Sequence, residues 1–164
     1  MQVEEFNQLS QSEARAGIEP CLGVSRWVEE VVSARPYFDV AALLEQGRAS
    51  AENLTDDELD SALSGHPRIG EISAAGRQGA AYSVAEQSEV DSDDDTAARL
   101  AAANQRYEDR FDRLFIVRAA GRDTAEVLAE LERRLGNTDE AERREVVSEL
   151  RQIALLRLEQ VVRP

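Results

Sequence analysis

The sequence predicts an all-α fold: a single compact multi-helix domain over residues 1–164, with one short extended connector near 114–120. Three observations predict it. The hydrophobic pattern is helical nearly throughout. Capping-box signals, in which a short polar side chain and a Glu three residues on satisfy orphan backbone N–H groups, recur along the chain. A length of 164 residues suits one hydrophobic core, and no break in composition divides it.

The elements follow in order. Ser10 with Glu13 opens a helix predicted over 11–19, and further helices are predicted over 25–34, 39–46 and 49–53, with Pro36 breaking the pattern between the first two. Thr55 with Glu58 opens 56–64, which Gly65 is expected to close as a left-handed cap before Pro67. Ser83 with Glu86 opens 84–89. The acidic run Glu89 to Asp95 reads as a solvated loop leading into a helix over 96–112, whose N-terminus favours negative charge. Leu114-Phe115-Ile116-Val117 is too short for periodicity to decide its state, and reads as an extended connector. Asp123 with Glu126 opens 124–135, which Gly136 is expected to close in the left-handed region. The last helix, 139–161, carries a stripe of Val146, Val147, Leu150, Ile153, Ala154, Leu158 and Val161.

Composition removes several classes of function. A formal net charge of −14 repels phosphate backbones and anionic membrane surfaces, so no nucleic-acid or membrane partner is expected. No apolar run is long enough to span a bilayer, and Met1-Gln2-Val3-Glu4-Glu5 lacks the features of a secretory signal, so a soluble, cytoplasmic protein is expected. The single Cys21 cannot form an internal disulfide. All 19 basic residues are arginine; without lysine there is no Schiff base and no covalently held pyridoxal phosphate. One His and one Cys make a poor zinc set; a metal held by carboxylates alone stays open but has no supporting motif, and no cofactor is expected. Where copies assemble, a homodimer is the arrangement that base rates favour.

His66 is the only histidine, so imidazole chemistry passes through it or does not occur. Pro67 restricts its backbone from one side and the preceding helix end from the other, which orients the ring firmly. A capping histidine near a helix C-terminus would explain the same dipeptide. Arg157 falls inside the apolar stripe of the last helix, where it either snorkels to solvent, pairs with a buried carboxylate or binds an anionic ligand. Glu86 serves a capping box, yet the same helix start would present free N–H groups to an anion. Asn104 shares a face with Leu100, Tyr107 and Phe111 and should be buried and hydrogen-bonded.

Taken in order, Phe6-Asn7, Ser25-Arg26-Trp27-Val28, Ala34-Arg35-Pro36, His66-Pro67-Arg68-Ile69-Gly70, Ser83 to Gln87 and Asn104-x-x-Tyr107-x-x-x-Phe111 form a specific set. With Phe115-Ile116-Val117, Arg134-Leu135-Gly136-Asn137 and Leu156-Arg157-Leu158, the chain resembles the 2-oxo-4-hydroxy-4-carboxy-5-ureidoimidazoline (OHCU) decarboxylase family of urate breakdown. The resemblance implies a compact helical fold and cofactor-free decarboxylation of a small-molecule substrate to (S)-allantoin. It implies His66 and Glu86 as catalytic residues and Arg157 as a substrate-binding arginine. Pro67, the run Ser83, Val84, Ala85, Glu86 and Gln87, and the run Phe115, Ile116, Val117, Arg118 and Ala119 match the family's other binding positions. Backbone N–H groups of the second run are expected to hold substrate oxygens.

Three departures stand out: Asp112 replaces a usual glycine, Arg118 a small or thiol residue, and Ala119-Ala120-Gly121 the commoner Ala-Thr-Gly. They raise the alternative of a diverged member acting on another ureido or imidazoline compound. A non-catalytic acidic helical interaction module is the competing reading from another class. It leaves the arginine within an apolar stripe and the rigid Gly-His-Pro unexplained.

Overall fold

The structure, a computed structural model, describes residues 1–69 and 94–163. The helix expected over 84–89, and the acidic loop for most of its length, lie outside the described residues. Among the described residues there are eight helices and no strand beyond an isolated bridge between Gln2 and Arg163, as the all-α expectation requires. These residues fall into two compact units, Met1–Gly65 with Leu150–Pro164, and His66–Glu149.

In the first unit, α1 (Val3–Gln8) was not foreseen. Six residues cannot sustain a helix alone, and what holds this one comes from elsewhere in the chain. Phe6 is fully buried. Asn7 exchanges two bonds with the Tyr37 backbone, at 2.8 and 2.9 Å. Arg35 Nη1 donates to the carbonyls of Phe6 and Leu9, at 2.7 and 2.9 Å, which are acceptors the short helix cannot use itself. The Tyr37 hydroxyl is buried, donates to Val31 O at 2.6 Å, and has its pKa pushed up to about 12 by that burial.

The helix α2 (Gln11–Leu22) starts at the foreseen Ser10 and Glu13 box and ends at Gly23, whose φ of +74° is the left-handed conformation glycine adopts without strain. It packs on α3 (Ser25–Ser33), and α3 packs on α4 (Val40–Ser50), which joins into one helix the two segments expected over 39–46 and 49–53. The residue at the join is Gly47. Its carbonyl accepts the Trp27 indole N–H at 2.8 Å, and a Cβ there would lie 3.1 Å from Leu158 Cδ2. The missing side chain is thus explained by close packing rather than by a helix break. The Thr55 and Glu58 box opens α5 (Asp56–Ser64) as expected. The Arg26 fork joins α3 to α5 and to the end of α4: it donates to Glu58 at 2.7 and 3.1 Å, to Glu30 at 3.1 Å and to Ser50 O at 3.2 Å.

The second unit contains α6 (Asp94–Phe111) packed on α7 (Thr124–Arg134), with the predicted Asp123 and Glu126 box at the start of α7. Its core gathers Leu100, Ala103, Tyr107 and Phe111 from α6, Val127, Leu128 and Leu131 from α7, and Phe115, Val117 and Ala119 from the segment between them. That segment, 114–119, is neither helix nor strand, in keeping with the connector expected there. Helix α8 (Asp139–Val161) belongs to this unit as far as Glu149 and to the first from Leu150. Its stripe is buried as foreseen, except that Val161 is half-buried and Val162 is buried instead.

Two expected caps are corrected. Gly65 has φ of −79°, a right-handed geometry, and Gly136 is not in the left-handed region either. The backbone at both positions closes by tight bonds, Gly65 N to Ala62 O and Gly136 N to Arg133 O, which need no positive φ. The left-handed residues among those described are Gly23, Gly121 and Asp112, the last at φ +50° just past α6.

Candidate active site

In the second unit, His66 lies two residues beyond α5 and is 5% exposed, with Pro67 and Ile69 also buried. A surface position for this histidine is thereby set aside. The segment is tied to α6 at two points. Arg68 donates Nε to Glu108 Oε1 at 2.7 Å and Nη2 to Glu108 Oε2, a bidentate pair. Asn104, buried as expected, donates Nδ2 to Ile69 O at 3.2 Å, which fixes the orientation of its amide. Its Oδ1 is buried with no partner among the described residues.

The connector is held from the opposite direction. Phe115, Ile116, Val117 and Ala119 are buried and Arg118 is half-buried. Arg134, fully buried, donates Nη1 to Ile116 O at 2.6 Å, and its guanidinium lies 4.8 Å from the Phe115 ring centroid. Its charge is met by fully buried Glu142, whose Oε1 accepts from Arg134 Nε at 2.8 Å, from Arg134 Nη2 and from the Tyr107 hydroxyl. Asn137 Nδ2 satisfies Glu142 Oε2 at 2.9 Å. Burial works to lower the Arg134 pKa, but the bond to Glu142 and its charge raise it overall. Burial, joined by the Glu142 bond, raises the Tyr107 pKa.

This network was missed at the sequence level. Arg134 and Asn137 stand in a stretch that carries the resemblance, but nothing distinguishes Glu142 from the other carboxylates opening α8. The Arg118 N–H, counted among donors for substrate oxygens, already donates to Glu149 Oε2 at 2.6 Å.

In the first unit, Arg157 is 1% exposed and its Nη1 donates to Pro20 O at 3.3 Å. Pro20 lies in the last turn of α2, where carbonyls lack helical N–H partners, so a cation there meets both an unused acceptor and the negative end of the helix dipole. Ser83, Val84, Ala85, Glu86 and Gln87 lie outside the described residues. Among the described residues no group of three His, Cys, Asp or Glu side chains could hold a metal ion, and no helix is long and apolar enough to cross a membrane.

The sequence matches the OHCU decarboxylase family over residues 7–159, nearly its whole length. The chain belongs to the OHCU decarboxylase family. The uric acid degradation bifunctional protein of Bacillus sp. (strain TB-90) is 25% identical over 167 residues, covering 99% of this chain and 32% of its own length. This chain therefore spans about a third of that relative. Among solved structures, an OHCU decarboxylase crystallised in the presence of (S)-allantoin superposes with a TM-score of 0.72 at 25% identity, over 87% of this chain and 94% of the other. An (S)-allantoin synthase aligns with a TM-score of 0.73 at 18% identity, over 99% of this chain and 54% of the other, a likeness of fold. Among the described residues, the motifs that carried the resemblance thus stand on a helical scaffold shared with a solved OHCU decarboxylase.

Proposed function

We propose that this protein decarboxylates 2-oxo-4-hydroxy-4-carboxy-5-ureidoimidazoline to (S)-allantoin in urate breakdown, without a cofactor. The observation that carries the reading is the family match over 7–159, with its one histidine buried on a doubly anchored segment. Arg157 pairs with an anionic edge of the substrate. Glu86 orients His66. The electron pair of the broken C–CO₂ bond forms a double bond to the neighbouring ring carbon as the ring C=N electrons move to nitrogen, which takes up a proton. The resulting enol then loses its hydroxyl proton while that neighbouring carbon gains a proton on one face, which sets the chirality. His66 moves these protons, a contribution typically worth about 10² to 10⁴ in rate. The substrate supplies its own electron sink, so the reaction asks for neither lysine nor metal.

The test supplies fresh substrate from urate oxidation and hydrolysis and follows circular dichroism. Accelerated formation of (S)-allantoin is expected; racemic product at the spontaneous rate rejects the function. His66→Asn should lower kcat by at least about 10² with the helical fold retained. Undiminished turnover would remove His66 from the mechanism. A second reading, activity on another ureido or imidazoline compound, draws on the Arg118 N–H being engaged by Glu149. A higher kcat/KM for such a compound than for the ureidoimidazoline would favour it.

A further inference from the structure

Asn104 and Glu108 are four residues apart on α6 and so share one face, and both reach the segment that carries His66. Arg68 meets Glu108 through both guanidinium donors, while the Ile69 carbonyl accepts from Asn104. Between the Cα atoms of His66 and Arg68 the backbone has little freedom. The Pro67 ring fixes φ at that residue, and proline sterics restrict ψ of His66. Two soft dihedrals remain, ψ of Pro67 and φ of Arg68. Holding Arg68 and the Ile69 carbonyl therefore narrows the positions open to the His66 backbone two residues before Arg68.

The energetics separate this role from simple cohesion. The Arg68 and Glu108 side chains are 33% and 22% exposed, and ion pairs still reached by solvent add little to stability. Displacing a catalytic group by 1 Å, by contrast, can cost about 10² in rate. Among the described residues, the buried Asn104 amide makes its bond through Nδ2 to Ile69 O, at the segment that carries His66.

We propose that Glu108 and Asn104 are positioning residues that hold His66 in register for the reaction, acting through Arg68 and the Ile69 carbonyl. The proposal rests on the decarboxylase reading above. It places the effect on kcat rather than on substrate affinity, because neither side chain needs to meet the substrate.

The experiment compares wild type, Glu108→Gln, Arg68→Met and the double variant. Each is assayed for kcat, KM and thermal midpoint, and His66, as the only histidine, gives a single imidazole signal in a ¹H–¹³C correlation spectrum. The expected result for Glu108→Gln is a fall in kcat of about 10-fold or more, within the roughly 10² that misplacement can cost, with KM changed less than about threefold. The imidazole signal should shift or broaden. Because the pair acts as a unit, the double variant should be no slower than the worse single variant. An unaltered His66 signal together with wild-type kcat in both single variants would overturn the proposal. A wild type that fails to accelerate the decarboxylation instead defeats the functional reading, and the imidazole signal then still decides whether the clamp places His66.

Discussion

Replacing Glu142 by Gln keeps shape and removes charge, which isolates what the buried carboxylate does. In the native protein its Oε1 faces two donors of Arg134 and the Tyr107 hydroxyl, and both Arg134 and Glu142 are fully buried. With the carboxylate gone, the guanidinium remains out of water with no opposing charge at contact distance among the described residues. Two unit charges about 4 Å apart at an effective dielectric of about 20 attract by about 4 kcal/mol. Breaking a buried pair by removing one partner typically costs about 3–5 kcal/mol, so the two routes agree. At about 2–4 °C per kcal/mol for a chain of this size, the thermal midpoint should fall by about 6–20 °C. Urea unfolding followed by helical circular dichroism measures the loss directly. Tyr107→Phe removes one hydrogen bond to a charged group and should cost less, about 1.5–3 kcal/mol. Arg134→Met with Glu142→Leu should cost less than the sum of the single changes, since no charge is then stranded, although Ile116 O loses its donor. A cost below about 1 kcal/mol for Glu142→Gln would refute this account, and so would Tyr107→Phe proving the more damaging.

Two further outcomes can be measured on the same footing. Asp112 holds φ at +50°, where an L side chain is strained by up to about 1–2 kcal/mol and glycine is not; Asp112→Gly should stabilise by about 0.5–1 kcal/mol once the greater freedom of the unfolded chain is counted. A lower urea midpoint for the glycine variant would show that the aspartate is there for a contact rather than tolerated. The Glu58 carboxyl is held below its usual 4.5 chiefly by the Arg26 hydrogen bond, against the opposing effect of burial. A folded pKa lower than the unfolded one means stabilisation that is complete above about 4.5 and lost as pH falls through the folded value. Wild type should therefore lose stability below that pH more steeply than Glu58→Gln, as read from urea midpoints across the range; parallel curves would rule out the linkage.

Much of the helical framework could be read locally because its causes are local. The boxes at Ser10, Thr55 and Asp123 each satisfy N–H groups within one turn, and all three open a helix where the sequence placed it. The stripe on α8 exposed the burial of Arg157 in the same way, since a helical period fixes which residues share a face. Helix α1 could not be read like this. Its six residues are held by Arg35 and Tyr37, some thirty residues away. The helices expected over 39–46 and 49–53 are one, and Gly47 between them sits where a Cβ would lie 3.1 Å from Leu158 Cδ2, a contact set by a residue more than a hundred positions away.

The site divides along the same line. By itself the sequence determined that one imidazole is available, that proline stiffens its backbone, and that an arginine lies among apolar residues of the last helix. These follow from residue identity and from spacings of a few residues. Only the tertiary structure decided that Glu142 rather than another carboxylate meets Arg134, that Glu149 occupies the Arg118 N–H, and that α6 grips the chain just after His66. With 19 arginines and 33 acidic residues, charge complementarity is too abundant to select partners. Selection comes from burial, which penalises an ion that lacks a neighbour, and burial is settled by the packing of segments distant in the chain.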